Sequence, residues 1–493
     1  MSIKYASETN GEQLWKNIQW RKVHQKVRLL QERIVKAQKK GQHRKVKSLQ
    51  FILTKSFSAR LLAVKKVTEN KGKRTSGVDH CLWSTDKAKW EAANSLKTKG
   101  YKAMPLRRIS IPKSNGKTRQ LGIPTMKDRA MQALFLMALQ PLSETEGDRN
   151  SYGFRPKRSC ADAIRQCFIV LGRKTSSQWV LEGDIKGCFD YINHDWLLDN
   201  IPIDRRILKQ WLKCGFIEGN NLFCTESGTP QGGIISPTLA NITLDGLERA
   251  IDRAGGITKY TKTGEKRGNK HQVHFVRYAD DFIVTSNNKE ILEDKIKPAI
   301  INFLNERGLT LSEEKTKIVH IDEGFDFLGQ NVRKYRGKLL IKPAKKSFKA
   351  ITAKIRSLIK RNKAISSFEL IRMLNLIIRG WCNYHRKIIS SRVFAKLDWT
   401  IFQSIWSWAK RRHKDKSKGW IIRKYFTTKR GNNWTFFGTE KVSKKENTLF
   451  SAQSTTLARH LKIRNSANPF DKCWNDYFTA RKRDGMDIKY RTI

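Results

Sequence analysis

The feature that most constrains this 493-residue chain is a short apolar stretch interrupted by two adjacent carboxylates. Val273 to Val284 (VHFVRYADDFIV) predicts two short strands with Ala279-Asp280-Asp281 at the turn. Neighbouring carboxylates repel each other and gain nothing from an apolar core. A second predicted strand, Trp179 to Ile185 (WVLEGDI), ends at Asp184. A divalent cation resolves the conflict, because Mg²⁺ takes hard oxygen ligands, commonly one or two carboxylates plus substrate phosphates. Two such strand ends brought together can hold two ions, an arrangement that supports in-line displacement at phosphorus. A lone strand-end Asp is usually a turn residue; the pair beside Tyr278 is far more specific.

The charge balance points the same way. The chain carries 99 Lys+Arg against 44 Asp+Glu, a net +55. Self-repulsion of that size destabilises a compact protein unless a polyanion is its usual partner. Nucleic acid, bound through its phosphates, is the obvious polyanion; a merely basic or ribosome-associated protein is the plainer reading. Residues 331–493 hold 41 Lys+Arg and 9 Asp+Glu, net +32, while residues 1–330 hold 58 and 35, net +23. The last third therefore reads as binding surface, with the carboxylates upstream. No apolar run approaches the ~18 residues of a transmembrane helix, and the N-terminus reads as neither a signal nor a transit peptide. No two of the eight cysteines lie within four residues of each other, which argues against a zinc ribbon and for scattered thiols in a reducing compartment.

Residues 13–70 read as helical, with Val23, Val27, Leu30 and Ile34 on one face, a break at Gly41, then Leu49, Leu53 and Leu61. Asn70 to Asp79 is a basic loop. Ile109 and Ile111 alternate with polar residues, Ser114-Asn115-Gly116-Lys117 supplies a turn, and Arg119 to Ile123 returns as a hairpin. Residues 126–140 predict a buried helix. Ser236 at an N-cap and Pro237 after it predict one helix carrying Leu239, Leu244, Leu247 and Ile251. Beyond residue 345, the sets Ile351/Ile355/Leu358, Phe368/Ile371/Ile378 and Leu397/Ile401/Ile405/Trp408 predict a three-helix unit. The tail interleaves cations with Trp420, Tyr425, Phe426, Trp434, Phe436 and Phe437, a pattern suited to base stacking, although any one of these rings is more simply a core residue.

Tyr278-Ala279-Asp280-Asp281 resembles the YxDD box of reverse transcriptases, and the order of blocks around it resembles that of group II intron reverse transcriptase/maturases. IPKSNGKTRQLGIP (111–124) is similar to their fingers hairpin, and SYGFRPKRSCADAI (151–164) to the next block. DIKGCFDYINHDWLL (184–198), GTPQGGIISPTLANI (228–242), GLTLSEEKTKIV (308–319) and FDFLGQNVRKY (325–335) resemble polymerase motifs A, B, D and E. LLAVKKVTENKGKRTSGVD (61–79) resembles the N-terminal extension, IIRGWCNYH (377–385) the maturase or thumb domain, and NPFDKCWNDYF (468–478) the end of the DNA-binding region.

The resemblance implies an α+β right-hand polymerase with an N-terminal extension (1–80), fingers and palm (81–342), a helical thumb (343–414) and a basic DNA-binding region (415–493). It implies Asp184, Asp280 and Asp281 as catalytic carboxylates binding two Mg²⁺ ions, with the Ile185 carbonyl as a further ligand. It also implies Lys113 and Arg119 as triphosphate grips, Phe189 under the incoming sugar, Gln231 against the nucleotide, and Lys315 as a general acid toward pyrophosphate. Lys71, Lys73, Arg74, Arg411, Arg412, Lys414 and Lys416 are the expected nucleic-acid contacts.

The implied activity is RNA-directed DNA synthesis, with binding and splicing of a group II intron RNA and retrohoming by target-primed reverse transcription. The implied partners are that RNA, target DNA, an RNA template with DNA primer, and dNTPs, with no membrane. The expected location is bacterial cytoplasm near the nucleoid, or an organelle that encodes the protein. Tyr477-Phe478 is followed by fifteen residues without Cys or His, so the HNH nuclease of many relatives is expected to be absent. The alternatives are a host-adapted reverse transcriptase in defence or repair, and an RNA chaperone with a vestigial polymerase site; the intact carboxylates, Gln231 and Lys315 speak against the second.

Overall fold

A computed structural model describes residues 11–112, 116, 118–219, 221–261, 266–429, 431–440 and 442–490, without the side chains of 432 and 483–490. The chain forms two compact units, one of Met1–Ala163, Trp179–Ile318 and Ile463–Ala480, the other of Ile164–Gln178, Val319–Lys462 and Arg481–Ile493.

After a helical segment at residues 11–16, the first unit continues with α1 (Trp20–Lys39), α2 (His43–Lys55) and α3 (Phe57–Glu69), the first two amphipathic. Val23, Val27 and Ile34 are buried on α1, and Val46, Leu49 and Leu53 on α2, at the spacing that puts apolar groups on one helix face. Gly41 takes φ +67° between α1 and α2, a conformation that costs glycine little. After α4 (Asp86–Ser95), β1 (Leu106–Pro112) and β2 (Thr118–Ile123) pair antiparallel from Arg107↔Ile123 to Pro112↔Thr118. The hairpin expected here is present, and its turn at Ser114–Lys117 falls largely outside the described residues. Helix α5 (Met126–Glu146), N-capped by Thr125 Oγ1 accepting from Asp128 N, is buried around nearly its whole circumference, as expected of a core helix.

Strand β3 (Trp179–Gly183) is followed by β4 (Phe216–Glu218) and β5 (Asn221–Phe223), which extend the fingers sheet in the order β2-β1-β4-β5. The single helix expected after Ser236 is two: α6 (Ser236–Leu244) and α7 (Leu247–Ala254). Asp245 is extended and Gly246 left-handed (φ +98°), so the chain turns between them. Ser236 is inside α6 and makes no capping hydrogen bond; Ile235 occupies the cap. Strands β6 (His274–Tyr278) and β7 (Asp281–Ser286) complete a sheet in which β7 lies between β3 and β6, antiparallel to both. Ile463–Ala480 also belongs to this unit: Arg28 donates to Pro469 O and Asn475 Oδ1, and Lys39 pairs with Asp471.

The second unit opens with a three-stranded antiparallel sheet, β8 (Phe325–Phe327), β9 (Gln330–Tyr335) and β10 (Lys338–Pro343). Helices α8 (Lys345–Arg361), α9 (Ser367–His385) and α10 (Ser391–Arg412) follow, packed through Ile355, Leu370, Ile371, Ile378, Leu397, Ile401 and Ile405. The expected three-helix pattern is thus present. Helix α11 (Lys418–Tyr425) leads into a small sheet, β11 (Phe426–Lys429), β12 (Asn432–Thr439) and β13 (Glu446–Thr448). Tyr425, Phe426 and Phe436 are core residues of this unit, whereas Trp434 is 48% exposed. Among the described residues, no helix is long and apolar enough to cross a membrane.

Candidate active site

The β6–β7 register, Tyr278↔Asp281, leaves Ala279 and Asp280 as a two-residue hairpin loop. Such loops need left-handed backbone, and Ala279 supplies it at φ +60°. Asp281 opens β7. On the other side of β7, Gly183 stands opposite Phe282, and a Cβ on Gly183 would come within 2.2 Å of the Phe282 ring. Glycine lets the two strands close there, which carries Asp184, the next residue, to the same end of the sheet as the hairpin.

The electrostatics follow from that convergence. Burial, then Asp280 and Asp184, push the Asp281 carboxyl up to about 6. Burial also raises Asp280, with Asp184 adding to it and Arg119 and Lys315 opposing. Lys315 Nζ donates to Asp184 Oδ2 at 2.8 Å, and that hydrogen bond raises the lysine. Among the described residues no group of three or more His, Cys, Asp or Glu side chains is placed so as to hold a metal ion by itself. The donor set nonetheless fits a hard cation that takes its remaining ligands from phosphates: carboxylate oxygens only, whose mutual repulsion a cation relieves.

Beyond Asp184 the chain crosses a short bridge, Ile185↔Leu311, whose hydrogen bonds come from the flanking residues: Lys186 N to Thr310 O at 3.0 Å and Ser312 N to Asp184 O at 2.8 Å. In such a pair the middle residue's own carbonyl is not used by the bridge, so Ile185 O is directed elsewhere while its side chain is buried. Phe189 is half-buried, edge-on to Phe154 at 6.1 Å. Its carbonyl accepts from Thr229 N at 2.7 Å, and a Cβ on Gly228 would clash with it at 2.6 Å. Gln231 joins three segments: its Oε1 accepts from Arg119 Nε (2.7 Å), its Nε2 donates to Asp190 Oδ1 (2.7 Å), and its carbonyl accepts from Gly122 N (2.9 Å). Lys113 lies outside the described residues.

Three participants escaped the sequence reading. Gly153 lies so close to the hairpin that a Cβ would sit 2.2 Å from Ala279 N. Asn241 Nδ2 donates to Gly153 O at 2.9 Å. Arg277, inside the apolar β6, is fully buried; an arginine in the middle of a core strand was the available signal.

Of the expected nucleic-acid contacts in the first unit, Lys71, Lys73 and Arg74 form an exposed turn of 3₁₀ helix. In the second, Arg411, Arg412, Lys414 and Lys416 are all exposed at the end of α10 and just after it. Arg412 is engaged within the unit, donating to Ala364 O (3.2 Å) and Ile365 O (2.5 Å), with its guanidinium 5.1 Å from the Trp408 ring.

Residues 111–332 match the family model of reverse transcriptase (RNA-dependent DNA polymerase), residues 15–96 the N-terminal domain of reverse transcriptase, and residues 348–426 the group II intron maturase-specific domain. Protein YkfC of Escherichia coli is 33% identical over 311 residues, which is 56% of this chain and 80% of that protein. The group II intron-encoded protein LtrA of Lactococcus lactis is 30% identical over 388 residues, 66% of this chain and 64% of LtrA. An uncharacterized 91 kDa protein in a cob intron of Schizosaccharomyces pombe is 29% identical over 408 residues, 68% of this chain and 50% of that protein.

Proposed function

The chain belongs to the group II intron reverse transcriptase/maturases, RNA-directed DNA polymerases of right-hand fold that assist splicing, and from that premise we propose how its residues divide the work. The observation that carries the reading is the gathering of Asp184, Asp280 and Asp281 at one end of the β3–β7–β6 sheet. These carboxylates, with the Ile185 carbonyl, would hold two Mg²⁺ ions. Such ions, when bound, activate a primer 3′-OH and stabilise the leaving oxygen of pyrophosphate.

The remaining steps belong to side chains. Phe189 presents its ring to the incoming sugar and leaves no room for a 2′-OH. Arg119 and Lys113 neutralise the triphosphate. Gln231, oriented by Arg119 and Asp190, faces the nucleotide. Lys315, kept protonated beside Asp184, is the proton donor toward pyrophosphate. Lys71, Lys73 and Arg74, and separately Arg411, Lys414 and Lys416, contact the phosphates of a group II intron RNA. Such RNA is recognised by shape, loops and 2′-OH groups. Copying of the intron at a target DNA, in bacterial cytoplasm near the nucleoid or in an organelle, completes the reading.

The test is primer extension on an RNA template by Asp280→Ala, with RNA binding measured on the same preparation. Loss of synthesis with binding retained supports the assignment; undiminished synthesis overturns it.

A further inference from the structure

Arg277 is an odd residue to find in a core strand. It has no exposed surface, yet its Nε finds no partner among the described residues. Its Nη2 donates to Asp245 Oδ1 at 2.7 Å, and its Nη1 lies 3.3 Å from Asn241 Oδ1 and 3.5 Å from the carbonyl of Ala279. Ala279 is the left-handed residue of the catalytic hairpin. The Arg277 backbone is held as well: its N–H donates to Asn150 O (2.9 Å) and its carbonyl accepts from Tyr152 N (2.9 Å). Asn241 closes the ring, accepting from Arg277 and donating to Gly153 O, while the Gly153 backbone abuts Ala279.

The acceptor side is equally specific. Asp245 occupies the break between α6 and α7, and its Oδ1 also accepts from Asp148 N at 3.3 Å. Asp148 in turn accepts from Gly246 N (3.0 Å) and Glu248 N (3.3 Å), and Glu248 holds the backbone and side chain of Asn150. The break that interrupts the expected single helix thus delivers a carboxylate to Arg277. An ion pair with one partner fully buried and the other largely so is weak evidence for stability, since desolvation of the charges offsets their attraction. Rules of core packing are broken mainly at functional sites, and Arg277 sits one residue from Tyr278 and two from Ala279.

We propose that the buried Arg277–Asp245 pair is a positioning device for the polymerase centre, setting the height of the Ala279-Asp280 turn and hence the placement of the Asp280 carboxylate toward its cation. Arg277 and Asp245 touch no substrate. They act through Ala279. The inference rests on the reading of Asp280 as a metal ligand. Mg²⁺ demands near-ideal geometry, so a displaced turn shows first in cation dependence.

The experiment compares full-length wild type, Arg277→Met/Asp245→Leu, Asp245→Asn and Arg277→Lys. The double variant replaces both charges with apolar groups, a change that leaves buried pairs neutral or more stable. It is expected to keep the wild-type melting temperature and RNA affinity. Its kcat in primer extension should fall about 100-fold, the scale of a 1 Å misplacement, with the KM for dNTP nearly unchanged. The Mg²⁺ concentration for half-maximal activity should rise, as should that for half-maximal thermal stabilisation by Mg²⁺. Arg277→Lys, which keeps the charge but not the fork, should fall between. If the double variant has wild-type kcat and Mg²⁺ dependence, the pair is only structural and the proposal fails. If the double variant does not fold, Asp245→Asn decides: a raised Mg²⁺ requirement supports the proposal and an unchanged one overturns it. Failure of the underlying reading is separate, because it would appear as an active Asp280→Ala.

Discussion

The proposed polymerase centre of the first unit and the proposed nucleic-acid surface of the second use charge in opposite ways. Among the described residues at the proposed centre, three cations have specific partners: Lys315 on Asp184, Arg119 on Gln231, Arg277 on Asp245, each at 2.7–2.8 Å. On α10 and the segment after it, Arg411, Lys414 and Lys416 stand exposed, and residues 331–493 carry net +32. In the first region a charge acts by its position. In the second it acts by adding to a total. The first should therefore be intolerant of single changes, and the second graded and salt-dependent.

The sharpest way to break the comparison is Asp280→Ala. On the proposed assignment it removes one oxygen ligand from a site whose chemistry depends on geometry, so cDNA synthesis should fall by orders of magnitude. RNA binding and splicing assistance should persist, because no exposed cation is touched. Loss of splicing in a normally folded variant would show that the two regions are not separable.

Phe189→Val comes next. Opening space beside the 2′ position should shift the ratio of rNTP to dNTP incorporation by about tenfold to 100-fold, the range available to a small steric change in a pocket. An unchanged ratio removes Phe189 from sugar selection.

The surface should respond more mildly. Replacing Arg411, Lys414 and Lys416 with Gln should weaken RNA binding and flatten the log–log salt slope by about 0.7 for each single-strand phosphate that is no longer neutralised. Synthesis on a short pre-annealed primer–template should be little changed. Arg412→Gln sharpens the contrast within the surface itself. Its hydrogen bonds to Ala364 O and Ile365 O predict a lower melting temperature, with a smaller change of salt slope than its neighbours give.

The smallest effect is on stability. The Asp281 carboxyl, pushed up to about 6 by burial and by Asp280 and Asp184, binds more protons in the native protein than in the unfolded chain between about pH 4 and pH 6. Native stability of the metal-free protein should therefore fall as pH rises through that window. Asp281→Asn should be more stable than wild type at pH 7, by about 1 kcal/mol once solvent screening is allowed for. The difference should vanish below about pH 4. Melting curves on either side of that window, in EDTA, check the sign; a variant less stable at neutral pH contradicts it.

Much of the architecture was legible because it is local. Val23, Val27 and Ile34, or Leu397, Ile401 and Ile405, are apolar at helical spacing and bury on one face whatever the partner is. Strand-end carboxylates stand out against apolar neighbours. The parallel pairing of β1 with β4, Leu106↔Phe216 and Arg107↔Ile217, was not legible, since it joins strands over a hundred residues apart. Nor was the break at Asp245-Gly246, where helical periodicity continues in sequence while the backbone does not.

By itself, the sequence singled out carboxylates that could be catalytic, set where the helical faces lie, and pointed to a polyanion as partner. Those properties depend on residue type and on spacing within a few turns or one strand. Only the tertiary structure decided which polar group meets which. Arg119 meets Gln231 across 112 positions, Lys315 meets Asp184 across 131, and Arg277 meets Asp245 across 32. A polar group, above all a buried one such as Arg277, must find its partner in space, and nothing periodic along the chain records where that partner will be.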